Sequence, residues 1–216
     1  MLIRFVAPEH TFLAPWREQS SGWYAVVADV RSFFASVPHS LLIELLAHRV
    51  SDTRLRSVLT SIIESFSTKG RPGFGIPLGN VTSQVFANIV LHELDREAKV
   101  HLLLRRYLRY NDDMVVVVYG FEEANKIRYA LWGAMKKLGF DLKVKVVKLS
   151  SKKCFDWLGA THFQFGRKMR SDTVWRINRA LQKNGKRLER RLLTENEYRN
   201  MVTSYLAHAK VYGTKI

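Results

Sequence analysis

An acidic turn held between two β-forming runs constrains this chain more than any other feature. Arg105 to Tyr110 (RRYLRY) and Met114 to Tyr119 (MVVVVY) flank Asn111, Asp112 and Asp113. Aromatic and β-branched residues suit strands, and Asn and Asp suit tight turns, so the segment predicts a β-hairpin. A third acid stands in a similar context. Trp23 to Val30 (WYAVVADV) is rich in strand formers and places Asp29 near its end. A strand-end Asp beside a turn bearing two more puts three carboxylates at one sheet edge, where a divalent cation relieves their repulsion. Magnesium takes such hard oxygen ligands together with substrate phosphates and water. Two such ions ~3.5–4 Å apart activate an attacking hydroxyl and stabilise a leaving oxygen in phosphoryl transfer. Asn-Asp-Asp is also ordinary hairpin-turn chemistry, and Asp29 alone could equally end a strand or cap a helix.

The rest of the chain predicts helices around these strands. Pro38 opens a helical pattern through Val50, since proline is tolerated in a first turn. Asp52 or Thr53 caps a second helix to about residue 66. The glycine- and proline-rich stretch from Lys69 to Gly79 (KGRPGFGIPLG) must be a shaped loop. Asn80 then leads a helix to about residue 104, with Val85, Ile89 and His92 expected on one face. Phe121 to Leu138 is helical and Gly139 ends it. Leu142, Val144 and Val146 alternate with lysines as one more strand, and residues 155–165 suggest a strand pair. From Gly166 on the chain is basic and reads as two helices, near 171–191 and 195–210. This order predicts an α+β fold, a largely antiparallel sheet with helices on one face.

Charge narrows the partners. The chain has 216 residues, with 35 Lys and Arg against 19 Asp and Glu, a formal net charge of +16. Apolar residues make up 47%, too many for a disordered chain. Such a surplus favours a polyanion, either nucleic acid or an acidic membrane surface. Cys154 is the one cysteine, which excludes an internal disulfide and a cysteine-based zinc site. The pattern predicts no signal peptide, and no stretch approaches the ~20 apolar residues of a membrane helix. A soluble cytoplasmic protein associated with nucleic acid is the expectation.

Together these segments resemble the palm of a reverse transcriptase, an RNA-directed DNA polymerase. Ala28 to Val37 (ADVRSFFASV) is similar to the first catalytic motif. Gly75 to Gln84 (GIPLGNVTSQ), followed by VFANIVLHELD, is similar to a segment of prokaryotic members. Tyr107 to Val116 (YLRYNDDMVV) resembles the Y-x-D-D box with its strands. Phe155 to Gly159 (FDWLG) resembles the F-x-F-L-G turn beyond the palm helix, and the late SYLAHAK resembles a segment near the end of these enzymes. The resemblance spans roughly residues 23–212 and is nearest to the diversity-generating retroelement enzymes and related bacterial and phage lineages.

The resemblance implies a palm of ferredoxin-like antiparallel sheet at 23–165, a small basic helical thumb-like region at 166–216, and an irregular lead-in at 1–22 without recognisable fingers motifs. It implies transfer of a nucleotide from a deoxynucleoside triphosphate to a primer 3′-hydroxyl, with two Mg²⁺ ions (Mn²⁺ as the alternative). Asp29, Asp112 and Asp113 would be the metal-binding acids, helped by the backbone carbonyl of Val30. Phe34 matches the aromatic steric gate, and Leu78, Gly79 and Gln84 would border nucleotide and template. Asn111 departs from the pattern, because an apolar residue is usual there. Arg176, Arg179, Lys183, Lys186 and Arg190, at spacings of three and four, share one helical side where a thumb holds the primer–template duplex. Trp175, Ile177, Ala180, Leu181 and Leu188 are expected to face a core. The implied partners are an RNA template, the RNA/DNA primer–template duplex, deoxynucleoside triphosphates and, where fingers are supplied in trans, an accessory protein or second chain; no membrane is implied. The alternatives are a non-catalytic RNA-binding or assembly protein derived from the same fold, and a metal-dependent nuclease.

Overall fold

The computed structural model describes residues 22–150, 154–163 and 166–212. The expected lead-in at 1–22 lies outside them, except for Gly22. The described residues fall into two compact units, divided after Lys148.

The first unit is built on a four-stranded antiparallel sheet in the order β2-β3-β1-β4. Its strands are β1 (Trp23–Val30), β2 (Tyr107–Tyr110), β3 (Asp113–Tyr119) and β4 (Leu142–Lys148). The central β1 pairs with β3 from Trp23↔Tyr119 to Asp29↔Asp113, and with β4 from Tyr24↔Lys148 to Val30↔Leu142. Side chains alternate across a sheet, so Val26, Ala28 and Val30 share a face with Met114 and Val116. That face forms the main core with Phe86, Val90 and Leu94 of the helix Val81–Arg96 and Ile127, Leu131 and Met135 of the helix Phe121–Lys137. By the same alternation Asp29 and Asp113 project from the opposite face.

The helices of this unit are α1 (Phe33–Ser36), α2 (His39–Ala47), α3 (Thr53–Glu64), α4 (Val81–Arg96) and α5 (Phe121–Lys137). Asp52, rather than Thr53, caps α3: its Oδ1 accepts from the backbone N–H of Arg54 and Leu55 at 2.8 and 3.0 Å. Beyond Arg96 the α4 helix widens into a π-helical turn, Glu97–His101. The buried face of α4 is Ser83, Phe86, Ala87, Val90, Leu91 and Leu94. This corrects the expected Val85–Ile89–His92 face. Val85 is exposed, because the larger Phe86 and the Val90–Leu91–Leu94 group make the wider apolar stripe.

The second unit has a three-stranded antiparallel sheet of β5 (Phe155–Trp157), β6 (Ala160–Phe163) and β7 (Gly166–Met169), followed by α6 (Ser171–Glu189) and α7 (Glu195–Val211). The strand β7 departs from the expectation, since its sequence GRKM reads as the start of a basic helical region. Met169 pairs with Ala160 in the ladder and is buried with Ile177 and Ala209, which ties the segment into the sheet. Helix α7 starts with a capping box: the Thr194 hydroxyl accepts from Glu197 N–H at 3.3 Å, and Glu197 Oε2 accepts from Thr194 N–H at 2.8 Å. Ile177 and Leu181 join the core as expected, but Trp175 is 59% exposed. Its ring carries the Arg179 guanidinium, 5.2 Å from the centroid. Among the described residues no helix is long and apolar enough to cross a membrane.

Candidate active site

The end of the four-stranded sheet gathers the acids. Asp29 and Asp113 are direct partners in the β1–β3 ladder. Directly opposed residues carry their Cβ atoms about 4.5–5.5 Å apart. Asp112 precedes Asp113 in the β2–β3 turn. Burial first, then the charges of Asp29 and of Asp112, together raise the Asp113 pKa to about 6. Asp112 is raised too, first by burial and then by Asp29, against the lowering effect of a backbone hydrogen bond and of Arg109. The Asp29 charge therefore opposes ionisation of both Asp112 and Asp113.

A divalent cation suits this donor set. All its donors are hard carboxylate oxygens, and their repulsion is what such an ion neutralises. Among the described residues no three or more Asp, Glu, His or Cys side chains are placed together so as to hold a metal ion. The preformed part is the cross-ladder pair Asp29 and Asp113, with Asp112 next in the turn. Val30, whose carbonyl was the fourth expected ligand, ends β1 opposite Leu142 with a buried side chain.

The turn itself explains one departure from the family pattern. Asn111 has φ +52°, in the left-handed region. Asn enters that region at less strain than an apolar residue does. A short polar residue is therefore what this backbone favours.

The glycine-rich loop is stitched to the turn after Asp29. The N–H of Ile76 donates to the Phe34 carbonyl and that of Gly75 to the Val37 carbonyl, each at 2.8 Å. The Thr68 hydroxyl donates to the Ala35 carbonyl at 2.9 Å, and His39 Nε2 lies 2.8 Å from the Gly75 carbonyl. Gly75 has φ +101°, and a Cβ there would collide with the Thr68 hydroxyl. Only glycine fits this crossing. Phe34 is half-buried, its ring edge-on to Phe33 with centroids 5.6 Å apart. Leu78 and Gly79 follow on the exposed segment leading into α4, with Leu78 78% exposed, and Gln84 is exposed in the first turn of α4. The loop thus links Phe34 to the segment that carries the other three expected nucleotide-binding residues.

A second set of polar residues braces the hairpin and was missed in the sequence. The Tyr107 hydroxyl donates to Asp95 Oδ1 at 2.8 Å. Arg109 forks onto Asp95, with Nε to Oδ1 at 2.8 Å and Nη2 to Oδ2 at 2.6 Å. Its remaining Nη1 donates to the Asn111 carbonyl at 2.9 Å. Burial alone would raise the Asp95 pKa, but the hydrogen bonds and charge of Arg109, the Tyr107 hydroxyl and Lys99 bring it below the usual value. Burial, with the Asp95 charge behind it, pushes the Tyr107 hydroxyl well above its ordinary range. The signal available in the sequence was alternation: Tyr107 and Arg109 share one face of β2.

The expected nucleic-acid residues lie in the second unit. Arg176, Arg179, Lys183, Lys186 and Arg190 are all exposed along α6 and its C-terminal end. Among the described residues none of them is in an ion pair with Asp172 or Glu189.

Known proteins resemble this chain. The profile of the family "Reverse transcriptase (RNA-dependent DNA polymerase)" matches residues 4–162. The chain is 32% identical over 77 residues to an uncharacterised 91 kDa protein in a cob intron of Schizosaccharomyces pombe, covering 34% of this chain and 9% of that protein. It is 29% identical over 82 residues to protein YkfC of Escherichia coli, covering 36% of this chain and 22% of that protein. The match therefore spans less than a quarter of either relative. Among solved structures, telomerase from Candida albicans, in complex with a fragment of telomeric RNA, superposes with a TM-score of 0.57 at 12% identity, over 76% of this chain and 34% of that one. Apo telomerase from Candida tropicalis gives a TM-score of 0.56 at 14% identity, over 74% and 38% of the two chains. At these identities the likeness is one of fold, the mixed α+β palm type with an antiparallel sheet.

Proposed function

This chain belongs to the reverse transcriptase (RNA-dependent DNA polymerase) family, and on that premise we propose that it copies RNA into DNA by adding deoxynucleotides to a primer 3′-hydroxyl. The observation that carries this reading is the direct pairing of Asp29 with Asp113, with Asp112 beside it in the turn. Asp29, Asp112, Asp113 and the Val30 carbonyl are the groups that hold Mg²⁺, or Mn²⁺ in its place. Bound there, two such ions supply activation of the primer hydroxyl and stabilisation of the leaving pyrophosphate. The residues themselves do little covalent work. Asp29 and Asp113 face each other across the ladder and fix where positive charge is held. Phe34 closes the sugar side of the nucleotide site, and Leu78, Gly79 and Gln84 line the base and template side. The loop bonds from Ile76 and Gly75 to the Phe34 and Val37 carbonyls support that shared placement.

We read 23–165 as the palm and 166–216 as the thumb-like region, a boundary that falls between β6 and β7 inside the three-stranded sheet of the second compact unit. The exposed basic row of α6 grips the phosphate backbone of the primer–template duplex, an interaction that needs charge rather than base-reading groups. The GIPLGN and SQ signatures support a prokaryotic or phage-type enzyme, for which a cytoplasmic setting follows.

Primer extension on an RNA template with Mg²⁺ tests the reading. The wild-type chain extends the primer, and the double variant Asp112→Asn with Asp113→Asn falls by about three orders of magnitude, the scale of losing an electrostatic catalytic group. Extension no greater than the variant's, with RNA binding intact in both, would instead identify a non-catalytic RNA-binding protein on this fold.

A further inference from the structure

We infer that Arg109, anchored on Asp95, is a positioning residue that sets the Asp112–Asp113 turn against Asp29 for cation binding; this rests on the metal-dependent reading of that turn. Each of the three guanidinium nitrogens donates a hydrogen bond. Nε and Nη2 take both oxygens of Asp95 at 2.8 and 2.6 Å, and the remaining Nη1 reaches the Asn111 carbonyl at 2.9 Å. The Tyr107 hydroxyl, at 2.8 Å, holds the same Asp95 oxygen that Nε takes. A planar guanidinium engaged at both carboxylate oxygens has no rotational freedom left. The pair is also largely removed from water, with the Arg109 and Asp95 side chains 11% and 17% exposed.

The destination of the third bond gives the clamp its meaning. A pair that served only to fasten α4 to β2 would be complete with Asp95 and Tyr107. Here the extra donor fixes the carbonyl of Asn111, the residue in the left-handed conformation immediately before Asp112. That carbonyl belongs to the peptide plane whose N–H is Asp112's own, so holding it orients the backbone from which Asp112 and Asp113 project. Asp95 lies in the last turn of α4, whose apolar face is packed into the main core. The turn is thereby referenced to the helix layer rather than left to the hairpin alone. Supporting groups of this kind typically govern metal affinity by tenfold or more.

The test is Mn²⁺ binding to the full chain, followed by electron paramagnetic resonance of the free ion, with unfolding midpoints measured in parallel. Arg109→Lys keeps a cation opposite Asp95 but lacks the fork that spans Asp95 and Asn111 together. The expected result is a cooperatively folded variant whose Mn²⁺ affinity is about tenfold weaker than wild type. Asp29→Asn, which removes a carboxylate itself, is expected to abolish the site. Folded Arg109→Lys with wild-type affinity, while Asp29→Asn has lost binding, overturns the positioning role alone. Wild type and Asp29→Asn binding equally poorly overturns the metal reading and the positioning role with it. Should Arg109→Lys unfold in buffer, the same titration of all three proteins in trimethylamine N-oxide, which favours the folded chain, carries the same expectation, and wild-type affinity of the variant there overturns the role.

Discussion

Two carboxylate settings bracket the β2–β3 hairpin and treat charge in opposite ways. Asp95 is matched on both oxygens by Arg109 and Tyr107, and its pKa falls below the usual value despite burial. Asp113 is half-buried among other acids, and its pKa rises to about 6. The difference separates an acid that holds the fold from acids that the fold tolerates. Satisfied buried ion pairs are a structural device, whereas a clustered and unneutralised set opposes folding and persists where a ligand supplies the missing charge.

The largest effect is expected on the satisfied side. Asp95→Ala leaves Arg109 buried without a counter-charge and strips the Tyr107 hydroxyl of its acceptor. Urea unfolding should show a destabilisation of about 3–5 kcal/mol. The pH dependence follows from the sign of the shift. Because the folded pKa of Asp95 is lowered, its contribution is fully present above about 3.8, the unfolded value, and is lost as pH falls through the folded one. Wild type should therefore lose this increment in strong acid, and Asp95→Ala should show no such step. A destabilisation below about 1 kcal/mol would place the pair among ordinary surface bridges and dissolve the contrast.

A smaller effect is expected far from both acids. Reversing Arg176, Arg179 and Lys183 to Glu should leave the unfolding midpoint nearly unchanged, since all three are exposed. Affinity for an RNA–DNA duplex should fall by about tenfold or more, and the log–log salt slope should shrink by about 0.9 for each phosphate no longer neutralised. An unchanged slope would remove α6 from the nucleic-acid interface.

Much of this molecule was legible in its sequence, for physical reasons that differ between elements. The strands β1 and β3 announce themselves through β-branched runs, and Asn111, Asp112 and Asp113 through turn chemistry. Their alignment was not written locally. Asp29↔Asp113 is a long-range register fixed by which side chains enter the helix-facing core, and only the fold displays it. The clamp was hidden because Asp95 sits in a helical stretch with other charged residues, and Arg109 looks like a strand-edge cation. Strand β7 was hidden by charge, since GRKM lacks the pattern of a strand until Met169 finds Ala160 and Ile177. Trp175 misled for the opposite reason: an apolar ring suggests a core position, while the structure places it outside under Arg179.

We propose that Asp29, Asp112 and Asp113 form a cation site in which the bound ion relieves their mutual repulsion. This is tested most directly by unfolding wild type and Asp113→Asn near neutral pH, with and without Mg²⁺. The raised folded pKa of Asp113, about 6, makes its charge a penalty that is fully present above that pH and fades as pH falls toward the unfolded value of 3.8. Without metal, Asp113→Asn is expected to be more stable than wild type by about 1 kcal/mol, a figure already discounted for solvent screening. Mg²⁺ should stabilise wild type and leave the variant nearly unmoved, narrowing or reversing the gap. A variant less stable than wild type without metal, together with equal responses of both proteins to Mg²⁺, would contradict the account.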